Sequence, residues 1–223
     1  MTENKSTLSK RSQSVYQELI LKKRNVMVWI YFDKLDKFKS FTLSAIESEK
    51  KKEKEFIDGL VDKGEWVDGA DLMVEAIFKT LSLNSFVLIL YSFIEHLLNR
   101  LCNPSLFDDD NWLKAQGIRP LTRKYTDMNG KGIRRAKRYL EQVIGLNLHA
   151  DEQPWDEIVT LSNIRNSIVH SGGEATDKIM KDANIKQHLE NERLYIFTDN
   201  IIIGSKYLDF IIPTVREFFQ SIE

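Results

Sequence analysis

"PWDEIVTLSNIRNSIVHSGG", residues 154–173, begins with a proline and ends with a glycine pair, and the reading of what lies between them decides the fold. Proline suits the first turn of a helix, where its missing N–H had no partner to lose. Glycine supplies the left-handed backbone that ends one. Projected at about 100° per residue, Trp155, Ile158, Val159, Leu161, Ile164, Ile168 and Val169 cover an arc of roughly 220°, against the ~100° stripe of an ordinary surface helix. Such a helix calls for more than one packing partner. Arg165 projects at about 280°, inside the arc and between Leu161 and Ile158. An unpaired guanidinium taken out of water is expensive, so this one needs an acid, a ligand or an opening. His170 and Asn166, four apart, share a face at the border of the arc. Arg165 and His170, five apart, do not share one; they converge only if the helix unwinds at Ser171-Gly172-Gly173 or if a second copy brings its own pair.

Working outward, "SFVLILYSFIEHLLNRLC", residues 85–102, reads as a second core helix. Phe86, Leu90, Phe93, Ile94, Leu97, Leu98 and Leu101 surround most of its circumference, while Ser85, Ser92, Glu95, His96 and Asn99 fall on one strip about 100° wide. Glu95 is the candidate counter-ion for Arg165, with Asn99 beside it. The alternative is that the strip faces water.

The rest of the chain has the same character. Its 223 residues include only 10 glycines and 4 prolines, with 29% charged and 42% apolar, which favours a helix-rich globular protein with an ample core. Residues 1–12 read as a disordered lead without the apolar segment of a secretory signal, and 13–223 as a single helical domain. From Val15 to Ile46 apolar residues recur at three-to-four spacing in one long or broken helix, and the lysine and glutamate run after it reads as a solvated face. "DKGEWVDG" is a turn, and a second long helix runs from Asp71 to about Leu101. A two-proline connection follows, with a short helix near Trp112, then a helix over 131–144. Past the glycine pair come a weak helix, a small hairpin around Thr198-Asp199-Asn200, and a closing helix kinked or begun at Pro213. The fold expected is an all-α helical bundle with long N-terminal helices and a small C-terminal β-hairpin.

Composition also excludes. With 32 basic and 33 acidic residues the net charge is -1, so no global field points to nucleic acid or membrane. The apolar run at 85–98 is interrupted and short for a bilayer. A lone Cys102 makes no internal disulfide or thiolate metal site, and four scattered histidines no zinc site, so neither metal nor cofactor is expected and the compartment reads as cytoplasmic.

Arg165-Asn166-x3-His170 resembles the Arg-x4-6-His motif of the HEPN superfamily, and "LYSFIEHLLNRLC" is similar to the core helix that often precedes it; the resemblance covers about residues 70–175. It implies a HEPN-type helical bundle, commonly dimeric, and a metal-independent endoribonuclease of a toxin-like or phage-defence kind, with an antitoxin or defence-system protein as a further partner. In that reading His170 moves the proton, Arg165 stabilises phosphoryl charge and Asn166 orients the phosphate or the histidine. Gly172 stands where adenylylation-controlled members carry a tyrosine, which puts that form of control in doubt. Lys131, Arg134, Arg135 and Arg138, with Lys124 and Lys137 nearby, are the candidate RNA-binding residues; a solvated helix face is the equal alternative. The competing readings are a silent HEPN-like module that binds RNA or protein, and a plain helical scaffold.

Overall fold

The computed structural model of the chain describes residues 10–66, 69, 73–103, 115, 121, 124–149 and 153–223. The protein is mostly helical with one small hairpin. Helix α1 runs unbroken over Lys10–Asp62, so the lysine and glutamate run is part of it; Lys51 and Glu55, four apart, pair at 3.6 Å. The expected lead lies outside the described residues over 1–9, and positions 10–12 already belong to α1. Helix α2 spans Val74–Leu101. The short helix expected near Trp112 also lies outside the described residues. Helix α3, Gly132–Tyr139, continues as a π turn over Leu140–Ile144.

Helix α4 is Gln153–Ser171, with Pro154 in its first turn and left-handed backbone at Gly172 (φ 61°) and Gly173 (φ 96°) just past its end. The single weak helix expected next is two, α5 (Asp177–Met180) and α6 (Ala183–Glu190). Asp182 separates them, because its carboxylate accepts the amides of Asn184 and Ile185 and so begins a new helix. Strands β1 (Leu194–Phe197) and β2 (Asn200–Ile203) pair antiparallel through a two-residue turn, Thr198-Asp199, with φ of 47° and 63° at its centre. Positive φ at both positions is what lets so short a turn follow the strand twist. Helix α7, Ser205–Ser221, begins well before Pro213, which sits inside it.

The backbone gathers into two compact units. The first comprises Met1–Tyr31, Ser92–Trp155 and Val215–Glu223. Its core includes Tyr16, Ile20, Leu98, Tyr139, Leu140 and Phe218. Polar ties close its chain ends: Lys23 Nζ donates to the carbonyls of Arg100 (2.6 Å) and Asn103 (3.0 Å) at the end of α2, and Arg24 donates to the carbonyl of Ile222. Burial lowers the Arg24 pKa. Cys102 is buried here, which pushes its thiol far up and leaves it a poor nucleophile.

The second unit comprises Phe32–Tyr91 and Asp156–Thr214. Leu83, Phe86, Leu90, Ile158, Leu161 and Ile164 are fully buried in it, and Phe38 stacks on Phe86 at 5.2 Å. By length and composition α2 is apolar enough to cross a bilayer, contrary to the sequence expectation, since its greasy run is part of a 28-residue helix. A third of its most apolar window is buried inside the protein.

Candidate functional site

Helix α4 carries the three residues singled out by the sequence, and all three belong to the second unit. Arg165 is half-buried rather than sealed in the apolar arc. Its guanidinium carbon lies 5.7 Å from the centroid of the Tyr91 ring, and its Nη1 donates to Asn166 Oδ1 at 2.9 Å. The Tyr91 ring is in turn held by a hydrogen bond that Ser162 Oγ donates to its hydroxyl at 3.1 Å. A cation over an aromatic face keeps its charge without full desolvation, so the arginine needs no buried acid.

Asn166 and His170 are exposed on one face of α4. Among the described residues the His170 imidazole has no hydrogen-bonding partner. Helix α4 stays regular through Ser171, past His170, so the backbone leaves helical geometry too late to draw His170 toward Arg165. Five residues along a regular helix separate the two by about 140°. One chain therefore presents a held arginine and a free imidazole on different faces of the same two turns.

Glu95 is half-buried and Asn99 exposed, both in the first unit, where Ser92 and His96 are exposed as well. Within that unit the polar strip faces outward. Of the basic residues on α3, Lys131, Arg134 and Arg138 are exposed, while Arg135 is half-buried with its Nε donating to the Gly130 carbonyl at 2.7 Å and its guanidinium 5.6 Å from the Tyr125 ring. Arg138 also reaches the Asn129 carbonyl at 3.4 Å. Lys137 pairs with Glu141 at 2.9 Å. Thus Arg135 has a structural task in holding the 129–130 turn, and Lys131 and Arg134 make no such bond among the described residues. Among the described residues no cluster of His, Cys, Asp or Glu could hold a metal ion.

Sequence reasoning missed a polar seam on α4. Glu157, Thr160, Asn163 and Ser167 recur every three or four residues, and each bonds to the segment that follows the glycine pair. Glu157 Oε2 meets His188 Nε2 at 2.8 Å with both side chains at most 1% exposed. Asn184 Nδ2 donates to Thr160 Oγ1 at 3.2 Å, Asn163 Nδ2 to Asp182 Oδ2 at 3.1 Å, and Ser167 Oγ to the Glu174 carbonyl at 2.8 Å. Arg193 donates to His188 Nδ1 at 3.4 Å, so that nitrogen is the acceptor and Nε2–H the donor to Glu157. The hairpin completes the arrangement: Ile201 N donates to Gly173 O at 2.8 Å and Ala175 N to Asp199 O at 2.7 Å. The loop behind His170 is thereby held by β2, a role for the hairpin that only the fold reveals. The signal was there in the spacing of the four polar residues, overshadowed by the apolar arc beside them.

The chain matches no family model, and no curated protein or solved structure is significantly similar to it.

Proposed function

We propose that this protein is a HEPN-type, metal-independent endoribonuclease, cytoplasmic and homodimeric, of a toxin-like or phage-defence kind with an antitoxin or defence protein as its partner. The observation that supports it best is the pairing of a positioned guanidinium with an unengaged, solvent-facing imidazole within one helix end. RNA supplies its own nucleophile. An imidazole takes the proton from the 2′-OH, the oxygen attacks phosphorus, and the 5′-oxygen leaves with a proton, giving a 2′,3′-cyclic phosphate and a 5′-hydroxyl. His170 serves as the proton carrier, an effect typically worth ~10²–10⁴-fold. Arg165 stabilises the charge on the phosphoryl oxygens through fixed donors. Asn166, already bonded to Arg165, fixes the direction of that fork. Because one helix separates Arg165 from His170 by about 140°, the reading requires that two copies share a cleft.

The second reading is a silent HEPN-like module that binds RNA or protein. It is favoured by the absence, among the described residues, of any group that orients His170. Incubating the purified protein with RNA in EDTA, beside His170→Ala and Arg165→Ala, separates the two. Cleavage lost in both variants supports catalysis. Salt-dependent binding without cleavage supports the silent module. Neither activity refutes both.

A further inference from the structure

The sequence located the demand for a second copy on α4, whose apolar arc looked too wide for one chain. That arc is largely covered: Trp155, Ile158, Leu161 and Ile164 are buried, Val159 and Ile168 are half-buried, and only Val169 is exposed, at 46%. An uncovered apolar surface is elsewhere in the second unit. Between Ile46 and Leu83 no described residue is buried. This stretch is the hairpin formed by the end of α1 and the start of α2, where Glu75 N donates to Glu53 Oε2 at 3.1 Å. Met73, just before α2, and Val74, Ile77, Phe78, Leu81 and Ile89 on it are between 37% and 62% exposed. At 100° per residue they form one stripe about 160° wide, broad enough for a packing seam.

Side chains of this size, half exposed, each offer on the order of 100 Å², so the stripe presents roughly 600 Å², the upper end of what a monomer leaves uncovered. Phe56, Val61 and Trp66, the last 86% exposed, lie at the same end of the hairpin. Covered by a second copy, the stripe alone removes roughly 1,200 Å² over two chains, the lower end of a specific interface.

We propose that a second copy of the chain docks on this stripe, α2 against α2, in an antiparallel pair with its two-fold axis between Leu81 and Ser82. That register is self-complementary: Phe78 meets the exposed Ser85 of the second copy and Val74 meets its Ile89, and each contact occurs twice. The assignment stands on the exposed surface whether or not the site cleaves RNA.

Sedimentation of the full chain at tens of micromolar tests it, for the wild type, Leu81→Lys and Phe78→Glu. The expected result is twice the chain mass for the wild type and the chain mass for both variants, with unchanged far-UV circular dichroism, since neither residue is in the core. Ser82→Cys, next to the axis, should cross-link to a dimer on mild oxidation, with the buried Cys102 silent. A wild type at the chain mass overturns the proposal, as does a dimer that persists in both variants or partition onto phosphatidylcholine vesicles in place of self-association. Cleavage assays on the same samples keep the two readings apart: an intact dimer without ribonuclease activity refutes the catalytic proposal alone.

Discussion

Replacing His188 by leucine should cost on the order of 3 kcal/mol, the upper end for removing a hydrogen bond from a buried charged group. The estimate follows from what the substitution strands. His188 Nε2 is 2.8 Å from Glu157 Oε2, with the side chains 0% and 1% exposed. The other carboxylate oxygen, Oε1, is already without a hydrogen-bonding partner among the described residues. Without the imidazole, both oxygens are bare in a site closed by Tyr207 and Phe210, whose rings lie 5.1 Å from that of His188. Leucine fills much of the space, so the loss is electrostatic more than a matter of volume. In a chain of this size 1 kcal/mol is worth about 2–4 °C, so Tm should fall by on the order of 10 °C. The double substitution Glu157→Leu with His188→Leu removes the charge with its partner and should return most of the loss, since apolar replacement of a buried pair is often neutral. Urea unfolding followed by circular dichroism at constant m-value reads both numbers. A single substitution costing under ~1 kcal/mol, or a double variant less stable than the sum of the singles, refutes the reasoning.

Gly173→Ala should destabilise by about 1–2 kcal/mol, the usual cost of left-handed backbone in a residue with a Cβ. The cause is strain at φ 96° rather than a clash, because the new Cβ would sit 3.8 Å from the Ile201 carbonyl oxygen. Thermal melts check it, and an unchanged Tm rules it out. The surface pair Lys206–Glu192, at 2.6 Å, gives a pH prediction. The lysine's bond and charge hold the Glu192 carboxyl below its ordinary 4.5, and the carboxylate raises Lys206 above 10.5. A depressed carboxyl contributes above its unfolded pKa and loses that contribution as pH falls through the folded one; a raised ammonium contributes below its unfolded pKa and loses it as pH rises through the folded one. The tie between the β1 approach and α7 is thus complete between those limits and fades outside them. Side-chain NMR titration should place Glu192 below a free glutamate and restore it in Lys206→Met; an identical midpoint in both proteins contradicts the pairing.

What the sequence made legible was what periodicity encodes. The start of α4 at Pro154 and its end at Gly172-Gly173 were readable because both residues act through their own backbone, and Thr198-Asp199 was readable between two β-prone runs. The split of α5 from α6 was hidden: Asp182 is one of several polar residues there, and only the amides it meets make it a cap. The same limit explains Arg165. Its position on the helix wheel was right, but a wheel knows nothing of neighbours, and the Tyr91 ring that holds the guanidinium comes from another helix 74 positions away by sequence number. The polar seam and the apolar arc share α4 because it serves two sets of neighbours, one through hydrogen bonds and one through burial. A wheel adds these demands and reports a single face too wide. The structure separates them, and an apolar surface left exposed is then on α2 at Val74, Ile77, Phe78, Leu81 and Ile89, residues that the sequence reading of that helix did not single out.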